Sequence, residues 1–292
     1  MSTTIIINPI AGGASPRAAR ARQQLARAIV DRGGAPVEVL LTEGVGHARV
    51  LAKDAVQRGA RLVLAWGGDG TINEIASALA FDQAALGIIA AGSGNGLARE
   101  LGVHRRADRA IADAMRATPR PMDMGEVDGH LFANVAGTGF DAHIASQFAT
   151  ASRRGLVGYA GITARAMRTY RPQHYKVSID GVETEHRAVL VTIANSAQFG
   201  NNARIAPGAR VDDGELDLVV VEERSRFATL CQMPRLFNGT VARVRGCTIR
   251  RVREVTIESD QPMTYHVDGE PVAGGTILRA RVHPGALRIA VR

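Results

Sequence analysis

The stretch Gly67-Gly68-Asp69-Gly70-Thr71-Ile72-Asn73-Glu74 decides how this chain is read. The apolar run Leu62 to Trp66 leads into it and predicts a buried parallel strand. Thr71 to Leu79 leads out and predicts a helix. Three glycines and one aspartate therefore fall on a strand-to-helix turn. Glycine lets the backbone take positive φ and approach a ligand closely. The helix behind the turn offers N–H groups and a positive dipole end, which suit phosphate. An aspartate inside such a turn would repel an anion unless a cation came with it. Asp69 thus points to a metal–nucleotide pair.

Outward from this turn, the first ~120 residues alternate strand and helix. Strands are predicted at Thr3–Ile7, Pro36–Leu41 and Ala85–Ala90, each followed by a helical pattern. Ser15 and Pro16 make an N-cap and first-turn pair. In parallel sheets ligands sit at the carboxyl ends of strands. Asn8–Gly13, Thr42, Gly67–Thr71 and Gly92–Gly96 all fall there. Beyond Pro119 the texture changes to short, β-branched, often alternating runs, including His130–Val135, Met263–Val267, Thr276–Val282 and Ala286–Val291. The expectation is an α/β N-terminal domain over residues 1–120, Rossmann-like in three layers, and a mainly-β sandwich over 121–292. Helical insertions are predicted at about 142–170 and 226–238.

Composition narrows the partners. The 292 residues carry 36 basic and 28 acidic side chains, a net +8, which permits a polyanionic partner without choosing one. Aromatics are only 4%, which speaks against base-stacking platforms and nucleic acid. Cys231 and Cys247 have no metal or redox spacing and read as inert thiols. Met1–Asn8 lacks a charged n-region, and no apolar run reaches the roughly 20 residues that span a bilayer. The expected location is cytoplasmic, with peripheral membrane association.

Taken together, Asn8-Pro9, Thr42, Gly67–Glu74, Gly92-Ser93-Gly94-Asn95-Gly96-Leu97-Ala98-Arg99, Gly139-Phe140-Asp141-Ala142, Asp212–Asp217 and Val267-Asp268-Gly269-Glu270 resemble the diacylglycerol kinase catalytic-domain family. These are bacterial lipid kinases related to sphingosine and ceramide kinases. The resemblance implies ATP-dependent phosphorylation of a lipid hydroxyl with Mg²⁺, at a site between the two domains. It also implies that the last residues pack back on the first domain. Asn8, Gly12, Thr42, Gly67, Gly68, Asp69, Gly70, Thr71, Asn73, Glu74, Ser93 and Asn95 would bind the nucleotide, Asp69 also helping to hold catalytic Mg²⁺. Glu270 would be the base, with Asp268 on the same side by strand alternation and close to metal or base. Asp268-Gly269 is equally a hairpin-turn signal. Arg210, Asp213 and Glu215 resemble a second, structural metal site, the carboxylate coming from Asp213 and carbonyls from the other two. One position departs from the family: Gly96 stands where many bacterial members carry an aspartate.

Leu156, Tyr159, Ile162, Ala166 and Tyr170 repeat at helical spacing beside arginines. They read as a core or homodimer face, or as a membrane-docking surface. His104, His174 and His266 show no ligand spacing. Two rival functions stay open: an NAD kinase, which shares Gly-Gly-Asp-Gly-Thr and a β-rich second domain, and a catalytically weak nucleotide-binding regulator.

Overall fold

The computed structural model describes residues 2–13, 15–33, 37–150, 165, 166, 169–224 and 234–292. It divides into two units. Unit 1 holds Met1–Met122 together with Gly285–Arg292, and unit 2 holds Asp123–Pro284.

Unit 1 is a parallel sheet. Its strands are β1 (Ser2–Ile7), β2 (Val37–Leu41), β3 (Ala60–Gly67) and β4 (Ala85–Ala90). The order is β2-β1-β3-β4, and Arg288–Ile289 pair in parallel with the outer edge of β4. Ile5, Ile6 and Ile7 are all fully buried, so both faces are covered. Alternation separates the faces. Ile5, Ile7, Leu64, Trp66 and Ile89 pack with Ala26 of α1 (Pro16–Gly33) and with Ala110, Ile111 and Ala114 of α5 (Ala107–Arg116). Two further helices, α2 (His47–Gln57) and α3 (Asp69–Leu79), pack on each other, α2 touching β1 and α3 touching β3. The short α4 (Gly96–Glu100) follows β4. Ser15 Oγ accepts the Ala18 N–H at 3.3 Å, the cap that its position predicts.

Unit 2 is built of antiparallel strands. In chain order they are β5 (Arg120–Val127), β6 (His130–Phe132), β7 (Val135–Gly139), β8 (Gln173–Ile179), β9 (Val182–Ala194), β10 (Gln198–Gly200), β11 (Ala203–Arg204) and β12 (Leu216–Glu222). Then come β13 (Cys247–Val252), β14 (Glu254–Ser259), β15 (Thr264–Val267), β16 (Glu270–Ala273) and β17 (Ile277–Ile289), whose residues from Gly285 on belong to unit 1. The long β9 pairs with β8 through its first half and with both β7 and β12 through its second. Alternate residues of β12 serve two cores. Leu216, Leu218 and Val220 join Phe132, Tyr175 and Ile257, while Val219 joins Val135, Ile205 and Val241. The unit also carries α6 (Phe140–Thr150) and the one-turn α7 (Pro234–Phe237).

Three expectations are corrected. His130–Val135 is not one strand: β6 ends at Phe132 and β7 begins at Val135. The predicted strands at Thr276–Val282 and Ala286–Val291 are one element, β17, which runs through Pro284-Gly285 with Gly285 at φ 60°. The helix after the Gly-rich turn starts at Asp69, two residues early, with Gly68 as an extended N-cap. Most of the predicted insertions, including Leu156, Tyr159 and Ile162, lies outside the described residues.

Gly87 of β4 shows how tightly unit 1 is filled. A Cβ there would lie 2.3 Å from Leu64 Cδ2 and 2.9 Å from Ala114 Cβ. Gly87→Ala is therefore expected to destabilise the chain by about 1–3 kcal/mol through overpacking. Urea denaturation checks this; an unchanged midpoint would contradict the packing described.

Candidate functional site

In unit 1 the carboxyl ends of the strands converge through the backbone. Asn8 N–H donates to Trp66 O at 2.9 Å, Thr42 N–H to Ile7 O at 2.9 Å and Ala91 N–H to Gly67 O at 2.8 Å. Asn8 Nδ2 donates to Thr71 Oγ1 at 3.0 Å, so the turn after β1 is tied to the first turn of α3. The glycines are required where backbones touch. A Cβ on Gly12 would lie 2.3 Å from Ala91 O, and one on Gly92 would lie 2.7 Å from Gly68 Cα. A Cβ on Gly67 would meet Thr71 Cβ at 2.5 Å. The first intrahelical bond of α3 runs from Ile72 N–H to Gly68 O at 3.0 Å, which leaves the Gly70 and Thr71 N–H groups ahead of it at the positive end of the helix.

The carboxylates of this region turn onto the fold itself. Asp69, expected beside a metal, accepts Asn95 N–H at 2.8 Å and Gly96 N–H at 2.7 Å. Its charge sits at the N-terminus of α4, where it is stabilising. Asn95 takes φ 51° and closes the same loop, its side chain exchanging two 2.8 Å bonds with the Gly92 backbone. Glu74, expected at the nucleotide, accepts Gly46 N–H at 2.8 Å and Ala48 N–H at 3.0 Å and so caps α2. Its carboxylate is engaged at a helix terminus. Asn73 Oδ1 accepts Ser77 Oγ–H at 3.4 Å, Thr42 is buried and Ser93 is exposed. Arg22 went unread in the sequence. Its guanidinium donates to Asn8 O at 3.2 Å and Ala11 O at 3.0 Å, which holds the turn after β1 from α1, and burial lowers its pKa.

In unit 2 the Asp268-Gly269 pair is a tight turn between β15 and β16, with φ 49° and 90°. The alternation that would have put Asp268 beside Glu270 is absent, because Asp268 is not in extended backbone. Its buried carboxylate accepts Ala133 N–H at 2.9 Å, Asn134 N–H at 2.9 Å and Val135 N–H at 2.8 Å. Three successive amides around one carboxylate form an anion nest filled by the protein's own side chain. This interrupts the expected His130–Val135 strand and makes Asp268 a clamp. Glu270 follows at the start of β16, exposed and, among the described residues, without a side-chain partner.

The Asp212–Glu215 turn is acidic. Asp213 Oδ1 accepts Glu215 N–H at 3.2 Å, and Arg251 Nη1 stands 3.8 Å from Asp213 Oδ2 and 3.5 Å from Glu215 Oε2. Arg210 reaches Asp212 Oδ1 at 3.4 Å. Behind the turn, buried Asp123 accepts Gly214 N–H at 2.7 Å. Among the described residues no three His, Cys, Asp or Glu side chains converge as a metal cluster.

Unit 2 also carries a largely apolar, open cavity of about 390 Å³, with Phe140, Tyr170, Leu190, Phe199, Leu236 and Val244 in its wall. Cys247 lies in the wall too, and burial pushes its thiol up to about 11, so it stays protonated. Tyr170 packs edge-on to Phe140, with ring centroids 5.4 Å apart. The sequence gives no signal for this cavity, because its wall comes from separate strands and loops.

A Gly-rich strand-to-helix turn at a parallel sheet edge, joined in one chain to a β-sandwich-like unit, defines a kinase class. The chain belongs to the diacylglycerol kinase catalytic-domain family. Residues 2–127 match the diacylglycerol kinase catalytic domain, and residues 134–291 match the YegS C-terminal NAD kinase beta sandwich-like domain. A "Probable lipid kinase YegS-like" protein of Pseudomonas aeruginosa PAO1 is 33% identical over 96% of this chain and 90% of its own. One of the same name from Chromohalobacter salexigens is 30% identical over 99% and 92%. A solved diacylglycerol kinase from Bacillus anthracis str. Sterne shares the fold with a TM-score of 0.75 at 20% identity, covering 100% of this chain and 97% of that one.

Asp217 yields a pH prediction. Burial is the main cause that pushes its carboxyl up to about 6; Arg251 opposes this, while Asp213 and Glu215 add to it. A raised native pKa means the native state binds the proton more tightly than the unfolded chain. In metal-free buffer the wild type should gain stability relative to Asp217→Asn as pH falls from about 7 to about 4, with no further gain below. Urea midpoints across that range check this; a constant gap would contradict it.

Proposed function

We propose that this chain is an ATP-dependent lipid kinase, taking Mg²⁺·ATP as one substrate and a lipid hydroxyl as the other. Phosphoryl transfer asks for positioning and charge stabilisation more than for covalent help. The Gly70 and Thr71 amides, with the Asn8, Thr42 and Ser93 turns around them, would hold the phosphates in unit 1. The magnesium ion enters with the nucleotide. Asp69 keeps the Gly92–Gly96 loop in register for that binding through its bonds to Asn95 and Gly96. In unit 2 Glu270 would accept the proton of the lipid hydroxyl.

The observation that carries the lipid reading is the cavity. Its volume falls in the range of small-molecule sites, and its wall is largely apolar with Arg171, Arg187, Glu223 and Arg224 also lining it, which suits an acyl chain. Phe199 in its wall lies with its ring centroid 6.3 Å from that of His266, on the strand before the Glu270 turn. The acidic turn gathers the oxygens of Asp212, Asp213 and Glu215, a donor type that fits a hard cation. Asp213 with the carbonyls of Arg210 and Glu215 would hold a structural Mg²⁺ or Ca²⁺ there, linking loops and supplying no chemistry. A lipid substrate requires visits to a membrane surface, which the +8 charge favours where lipids are anionic. Among the described residues no helix is long and apolar enough to cross a membrane.

The test is phosphate transfer from labelled ATP to diacylglycerol, monoacylglycerol, ceramide, sphingosine and NAD. Transfer to a lipid is expected. Transfer to NAD alone would replace this reading with the NAD kinase one, and tight ATP binding with no transfer would make the chain a regulator. Glu270→Ala should lower kcat by about 10²–10⁴-fold while leaving nucleotide affinity nearly intact. An unchanged rate would remove Glu270 as the base.

A further inference from the structure

His266 and Asp141 form a buried polar pair that the proposed reaction does not use. His266 is only 3% exposed. Its Nδ1 accepts Gly269 N–H at 3.3 Å, which leaves the ring proton on Nε2, and Nε2 stands 3.3 Å from Asp141 Oδ2. Asp141 Oδ2 also accepts Thr192 Oγ1–H at 2.8 Å, and Oδ1 accepts Ala142 N–H at 2.8 Å. The space is made for this carboxylate: a Cβ on Gly137 would lie 2.4 Å from Asp141 Oδ2 and 3.1 Å from Thr192 Oγ1.

The pair ties together three pieces of unit 2. Gly269 is the second residue of the turn and precedes Glu270 directly. Asp141 belongs to the first turn of α6, next to Phe140, which lines the apolar cavity. Thr192 lies on β9. Asp268 pins the first turn residue to Ala133–Val135. Glu270 pairs with Val267 in the β15–β16 ladder, and the Gly269–His266 bond adds a second tie at the turn residue just before it. Gly269 takes φ 90°, and a Cβ there would meet nothing within 4 Å, so the turn stands open on that side.

We infer that His266 and Asp141 are positioning residues: the chain Asp141–His266–Gly269 sets where Glu270 stands relative to the lipid cavity. This rests on Glu270 being the base. An acyl chain seated against Phe140 and a base held through Asp141, the next residue, are thereby referred to the same helix end. Displacement of a reacting group by about 1 Å costs on the order of 10²-fold in rate, so a loosened turn would be felt in kcat.

The experiment compares His266→Leu, His266→Gln and Thr192→Val with the wild type, measuring kcat, the KM for ATP and thermal stability. His266→Leu should lower kcat by about tenfold or more with the KM for ATP changed less than about twofold. His266→Gln, whose amide can still accept from Gly269 and donate to Asp141, should recover most of that loss. Thr192→Val keeps the volume, so it should fold, and should lower kcat several-fold. Variants that lose thermal stability but keep the wild-type kcat would reduce the pair to core packing and overturn the inference. So would equal losses in Leu and Gln. Should the wild type phosphorylate no lipid, the kinase reading fails on its own. The ¹⁵N spectrum of His266 then decides this one: a protonated Nε2 is required, and a protonated Nδ1 overturns it.

Discussion

The structure depends on how backbone N–H groups at its turns are satisfied. A buried amide without an acceptor costs about 1–3 kcal/mol, and bonds to a charged acceptor are stronger than neutral ones. Asp69, Glu74 and Asp268 answer that constraint with carboxylates, each taking two or three amides from a distant turn. Loops that would otherwise open to water are held at fixed distances. In unit 1 the Gly92–Gly96 loop and the start of α2 are both fastened to α3. In unit 2 the start of β7 is fastened to the β15–β16 turn.

This arrangement divides the acidic motif residues by task. Those that meet backbone amides build the walls, and their charge is neutralised locally. Glu270 is placed differently, exposed at a strand start and beside a turn that is itself clamped. That exposed carboxylate is the one the proposed function uses as the base. The glycines complete the same scheme. Gly12, Gly68 and Gly92 let neighbouring turns touch through backbone, with no side chain between them.

The strand–turn–helix frame was legible because periodicity, glycine and capping residues act within a few positions of one another. Leu62–Trp66 and Thr71–Leu79 identified themselves, and the Asp268-Gly269 dipeptide announced a turn. The roles of the acids were not legible. Glu74 caps amides 26 and 28 positions back, and Asp268 clamps amides 133 to 135 positions back, distances at which sequence pattern carries no signal. His266 looked unremarkable for the same reason. Its partners are one residue in the following turn and one at a helix start far up the chain. Pro284-Gly285 misled in the opposite direction, since β17 turns there with Gly285 at φ 60° and pairs again beyond it.

Amide hydrogen exchange at Asn95 and Gly96, in the wild type and in Asp69→Ala, tests most directly whether a motif carboxylate holds its loop. The account predicts that both amides are protected in the wild type and exchange much faster in the variant, while β3 keeps its protection. Equal and rapid exchange of the two amides in both proteins would contradict it, and would return Asp69 to the ligand.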